Sequence, residues 1–226
     1  MIDDELGVHS SRQCHSRRSV LLTLAAASLS QGIPFNRAWA APPGEFKGRV
    51  VAEWLPDGRS MKLLEPFEYI DPAGKSWPVP ANAIVDGASI PSIFWSIIGG
   101  PFEGLYRGPS VVHDFYCETR TRKYPEVHQT FHHAMLTAGV GTKKAWIMYK
   151  AVAQFGPQWP DPAADPTCEV TSGEFDFERC ARSSATRSLP TPPATKEELL
   201  QFSREVAAEA DPADVETLRS AIDRMN

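Results

Sequence analysis

Long apolar runs are scarce in this 226-residue chain. Beyond residue 40 no stretch approaches the roughly 20 residues that a membrane-crossing helix needs, which argues against a transmembrane body. Cysteine is scarce too: the chain has four, none in a CxxC spacing, so neither a zinc knuckle nor a thioredoxin-type redox motif is expected. Positive charge is in deficit, with 23 Lys and Arg against 28 Asp and Glu. That is the wrong balance for a protein that tracks a phosphate backbone, and no nucleic-acid partner is expected. No GxSxG elbow surrounds Ser89, which makes it a weak nucleophile candidate, and Gly99, Gly100 and Gly104 do not form a phosphate-cradling pattern. Internal repeats are lacking as well.

What is present begins with Ser16-Arg17-Arg18-Ser19, followed by the small-residue apolar stretch Leu21 to Leu29 and by Ala38-Trp39-Ala40. This order predicts a twin-arginine signal over residues 1–40, cleaved on export to a periplasmic or secreted destination. Its removal deletes four of the 23 basic and three of the 28 acidic residues, leaving 19 against 25 and a net charge of about −6. Three cysteines remain, Cys117, Cys168 and Cys180. In an oxidising compartment they allow one disulfide and one leftover thiol. Cys168 and Cys180, which flank a short polar stretch, are the first choice, although Cys117 could bridge to either.

The pattern predicts an α+β core domain over residues 41–160. Phe46 to Trp54, Met61 to Ile70 and a short piece Trp77 to Pro80 that leads into Ile84-Val85 are extended segments, broken at Pro56-Asp57-Gly58 and Asp71-Pro72-Ala73-Gly74, the signature of a small antiparallel β meander. Three helices follow, from Pro109 to about Arg120, from Pro125 to Gly139, and from Thr142 to Phe155 with Gly156-Pro157 as the stop. Residues 161–195 read as a loop-rich extension and linker. Residues 196–226 read as a helical tail, an appendage to the core.

Chemistry-bearing side chains converge on the first two of these helices. His113 and Cys117 stand at i and i+4 on one face, while Asp114 points about 100° round the helix. His128 and His132 share a face of the next helix; if the short Thr121 to Tyr124 link makes the two helices antiparallel neighbours, His113 can face His128. An imidazole beside a carboxylate, with Asp86 in a glycine-containing loop upstream, predicts either proton-transfer chemistry or a metal ion. A set of His113, Asp114, His128 and His132 would be nitrogen-rich and better suited to zinc than to calcium.

Two resemblances rest on these residues. Val79-Pro80, Asp86-Gly87-Ala88-Ser89-Ile90-Pro91 before Phe94-Trp95, Val112-His113-Asp114 and the helix Ala145 to Gly156 resemble the phage- and bacterium-associated family of unknown function numbered 1353. From Asp86 onward the order and spacing are also similar to bacterial-type secreted phospholipase A2. That resemblance implies a phospholipase A2-like core of three helices, with His113 as general base and a calcium ion held by Asp86, the Gly87 carbonyl and Asp114. The position of the carboxylate that orients the base is taken by His128. The implied activity is calcium-dependent lipid or ester hydrolysis at a lipid or membrane surface. A non-catalytic envelope or phage-derived accessory protein that uses the same groove for binding is the alternative expectation.

Overall fold

The computed structural model describes residues 44–87, 92–98, 100, 102–161, 166–168, 175–185 and 193–225. The export signal expected over residues 1–40 lies outside the described residues, as do Ser89 and the rest of 88–91.

Six short strands build the N-terminal half: β1 (Glu45–Lys47), β2 (Ala52–Trp54), β3 (Met61–Leu63), β4 (Phe67–Ile70), β5 (Ser76–Val79) and β6 (Ile84–Val85). They pair antiparallel as two three-stranded sheets, β1-β4-β5 and β2-β3-β6. The register runs unbroken between them. Glu45 faces Ile70 in one sheet and Trp54 faces Met61 in the other, while the Val51 carbonyl accepts from the Leu64 amide in between. The same holds along the other edge, where Phe67 faces Val79 and Met61 faces Val85. The six strands are therefore the expected three-stranded meander, interrupted across its middle. Gly48 marks the interruption on the first strand, at φ +81, and a Cβ there would lie 3.1 Å from the Pro66 carbonyl. The connecting turns are built by aspartates: Asp57 accepts from the amides of Arg59 and Ser60, and Asp71 from those of Ala73 and Lys75.

Alternation puts Met61, Leu63, Phe67, Tyr69, Trp77 and Val79 on one buried face of the meander. That face rests on α2 (Arg107–Thr119; a four-residue α1, Trp95–Ile98, precedes it) through Val112, Phe115 and Tyr116. Arg120, in the left-handed region, caps α2 by donating its amide to the Tyr116 carbonyl. Then come α3 (Tyr124–Thr137), with Pro125 in its first turn, and α4 (Thr142–Phe155), packed in sequence against α2 and against each other. Among the described residues no helix is long and apolar enough to cross a membrane.

Two parts of the chain depart from the expected layout. The segment read as loop contains a helix, α5 (Phe177–Ala185), started by Asp176, which accepts from the Arg179 amide. Phe177, Cys180 and Ser184 form its buried stripe, at a helical spacing that the Pro-, Ser- and Asp-rich surroundings obscured. The Cys168–Cys180 disulfide fastens its start, and Ser184 bonds the Thr119 carbonyl at the end of α2. The second departure is the C-terminal segment. Helices α6 (Lys196–Val206), begun by the Thr195–Glu198 capping box, and α7 (Pro212–Asp223) supply Leu199, Phe202, Leu218 and Ile222 to a second apolar core with Phe94, Phe131, Met148 and Val152. The Phe202 ring lies 5.3 Å from Phe94 and 5.5 Å from Phe155 between centroids. The tail is thus part of the core, because its apolar spacing supplies a face that α4 and α1 lack a cover for.

Phe202→Ala is expected to lower the unfolding free energy by about 3–5 kcal/mol in urea titrations, the range for an aromatic removed from a packed core. A loss below about 1 kcal/mol would show that α6 and α7 unfold apart from the rest.

Candidate functional site

Helices α2 and α3 meet at three buried side chains. His113 and Cys117 come from adjacent turns of α2, His128 from α3, and each is at most 2% exposed. Nε2 of His113 lies 2.9 Å from Nδ1 of His128, and Nε2 of His128 lies 3.2 Å from the Pro157 carbonyl oxygen, just beyond α4. Sγ of Cys117 is 3.7 Å from His113 Nε2 and 3.9 Å from its Nδ1. Aromatic rings wall the cluster: Phe131 lies 4.7 Å from the His113 ring, and Tyr124 and Trp159 lie 5.8 and 6.4 Å from the His128 ring.

Burial pushes the pKa of His113 well below its usual value, and the neighbouring His128 pushes it further. Burial also pushes His128 down, to about 4, although its bond to the Pro157 carbonyl works the other way. Both rings are therefore neutral at pH 7, and their tautomers follow. A carbonyl only accepts, so His128 carries its proton on Nε2 and presents a bare Nδ1. His113 must donate to it from Nε2, which leaves the His113 Nδ1 unprotonated.

Asp114 sits beside this cluster on α2 but faces elsewhere. Its Oδ2 accepts from the backbone amides of Asp86, at 3.0 Å, and of Gly87. The carboxylate thereby holds the end of β6 and the loop after it against α2. Two N–H dipoles converge on that oxygen, the charge-assisted arrangement by which a carboxylate holds a loop backbone. The Asp86 carboxylate lies 3.8 Å from the exposed Arg59 guanidinium. His132 is half-buried and rests its ring against Tyr149, 5.3 Å away, and His133 lines a surface hollow with Asp71 and Trp77.

The residues named from sequence thus fall into two groups. His113 and His128 come together, and Asp86, Gly87 and Asp114 come together as a carboxylate on a loop backbone. Neither Asp114 nor His132 is part of the buried ligand group. Its third member is Cys117: His113, Cys117 and His128 each offer one ligand atom, all within 4.8 Å of one another, and this group could hold a metal ion. The i, i+4 spacing of His113 and Cys117 was the available signal. The Pro157 carbonyl had none, because Gly156-Pro157 marks where α4 stops without marking what the next carbonyl meets.

Residues 61–152 match the model of a family described as a protein of unknown function, DUF1353. The chain is 43% identical over 141 residues to the uncharacterized protein y4jT of Sinorhizobium fredii (strain NBRC 101917 / NGR234), a match covering 62% of this chain and 40% of that protein. It is 36% identical over 115 residues to the uncharacterized protein y4iH of the same strain, covering 50% of this chain and 48% of that one. The matched stretch thus spans less than half the length of these relatives. No solved structure matches.

Two outcomes follow from the geometry. A buried imidazole with a depressed pKa favours the folded state only while it is neutral. In chelator-treated protein, stability should therefore be full above about pH 6.5 and fall as pH drops toward about 4, where His128 charges; urea midpoints across this range check it. Asp114→Ala strands two amides and removes their charged acceptor, so a loss of about 3 kcal/mol is expected in the same assay, with faster amide exchange at Asp86 and Gly87.

Proposed function

We propose that this is an exported protein that binds a transition-metal ion between α2 and α3, using Nε2 of His113, Sγ of Cys117 and Nδ1 of His128. The observation that carries this reading is the convergence of three nitrogen and sulfur atoms from two helices within 4.8 Å of one another in the buried interior. The chemistry of the donors agrees with it. Imidazole and thiolate suit zinc and its borderline or soft neighbours, whereas calcium takes hard oxygen ligands. Both imidazoles are neutral at pH 7, the form a metal requires. The Nε2–H of His128 on the Pro157 carbonyl is the kind of outer bond that fixes tautomer and ring direction in metal sites. The burial of all three ligands fits a structural site that ties the helices together. Export is favoured by the twin-arginine pattern and by the Cys168–Cys180 disulfide, which needs an oxidising compartment.

Metal analysis of the purified protein after expression in metal-supplemented medium tests this. One equivalent of a transition metal is expected, with chelation lowering the melting temperature by about 5–10 °C. A protein with less than a tenth of an equivalent, whose melting temperature ignores chelators and added metals, would sink the reading.

A second reading, calcium-dependent ester hydrolysis in a phospholipase A2-like core, is favoured by one observation. His113 is bonded across to α3 through Nε2, which leaves Nδ1 as a lone pair of the sort a general base needs. There His128 replaces the orienting carboxylate, and Asp114, Asp86 and the Gly87 carbonyl would form the calcium site. Fatty-acid release from mixed phospholipid vesicles that requires calcium and disappears in His113→Ala is its expected signature. Absence of release at any calcium concentration refutes it.

A further inference from the structure

We infer that the ion this site selects is copper(I), with zinc a weaker competitor. The inference rests on the reading of His113, Cys117 and His128 as a metal site and concerns which ion that site takes. Zinc is held almost always by four ligands, whereas soft monovalent copper is satisfied by three. Among the described residues the ligand group has three members, each at most 2% exposed, and Phe131, Tyr124 and Trp159 close around the two imidazoles. A zinc ion there would have to draw its fourth ligand from outside this group.

Charge decides in the same direction. Two neutral imidazoles and one thiolate carry a single negative charge, which neutralises a monovalent ion and leaves one uncompensated positive charge beside a divalent one. An uncompensated charge is costly in a buried apolar setting. The adjacent Asp114 is poorly placed to make up the difference, since it projects about 100° round α2 and its Oδ2 receives the amides of Asp86 and Gly87. The distances lie within reach of such a site. With metal–nitrogen and metal–sulfur bonds of about 2.0 and 2.3 Å, the edges of the ligand triangle come to roughly 3.5–3.8 Å. The 3.7 Å between Cys117 Sγ and His113 Nε2 already matches, the 2.9 Å between the imidazoles has to open as their hydrogen bond is replaced, and the edge from Cys117 to His128, within 4.8 Å, has to settle to the same length.

The proton balance is simple. Copper(I) binds, the Cys117 thiol loses its proton to solvent, and the His113 proton moves from Nε2 to Nδ1. His128 keeps its Nε2–H on the Pro157 carbonyl. No electron is transferred, and one proton is released per ion.

Anaerobic titration of the purified protein with copper(I), in competition with bicinchoninate, is the test, run beside zinc titration under the same conditions. One copper(I) per chain is expected, bound at least about 100-fold more tightly than zinc, and Cys117→Ser and His128→Gln should each weaken it by about 100-fold or more. X-ray absorption at the copper edge of the wild-type protein should give two nitrogens and one sulfur, a readout that does not depend on the variants folding. Stoichiometric zinc that copper(I) cannot displace overturns the copper assignment and leaves the metal site standing. Binding of neither ion overturns both. Copper binding that survives both substitutions, or an edge spectrum with a different donor set, removes this site from consideration.

Discussion

The contact on which the rest depends is the hydrogen bond from His113 to His128 at the crossing of α2 and α3. It is a polar link in an apolar place, and a low-dielectric interior tolerates such a link only when every group in it has a partner. The chain ends properly because His128 hands its remaining N–H to the Pro157 carbonyl. Three parts of the backbone, α2, α3 and the turn after α4, are therefore held in register by two imidazole rings. An apolar pair of similar volume would pack those helices at least as well. That two histidines and a cysteine stand there instead is the reason to look for a ligand.

The fold presents this cluster through rigid surroundings. The meander lies on α2 through Val112, Phe115 and Tyr116, and the Asp114 carboxylate clamps the loop after β6 to the same helix. Helix α5 secures the end of α2 through Ser184, and the disulfide secures α5. On the far side α6 and α7 cover the second apolar core. The elements that touch α2 and α3 thus hold His113 and His128 within hydrogen-bonding reach of each other.

Much of the architecture was legible in the chain. Turn chemistry at Pro56-Asp57-Gly58 and Asp71 to Gly74, with alternation between them, gave the three-stranded meander, and proline and glycine punctuation gave α2, α3 and α4. Helix α5 was hidden by the Pro-, Ser- and Asp-rich segment around it, although its own apolar and charged residues separate onto opposite faces. The role of α6 and α7 was hidden for a different reason. Their apolar faces are plain in the sequence, but what a face packs against is a property of the whole fold.

The site divides in the same way. Helical spacing alone put His113 and Cys117 on one face and turned Asp114 away from them, because 3.6 residues per turn leaves no choice. Only the tertiary structure decided that Asp114 would meet loop amides and that Cys117 would join the two imidazoles outside any disulfide. It alone brought in the Pro157 carbonyl to fix the tautomers. Local geometry follows from backbone sterics and can be read along the chain, whereas partners brought from distant turns depend on packing that no single segment encodes.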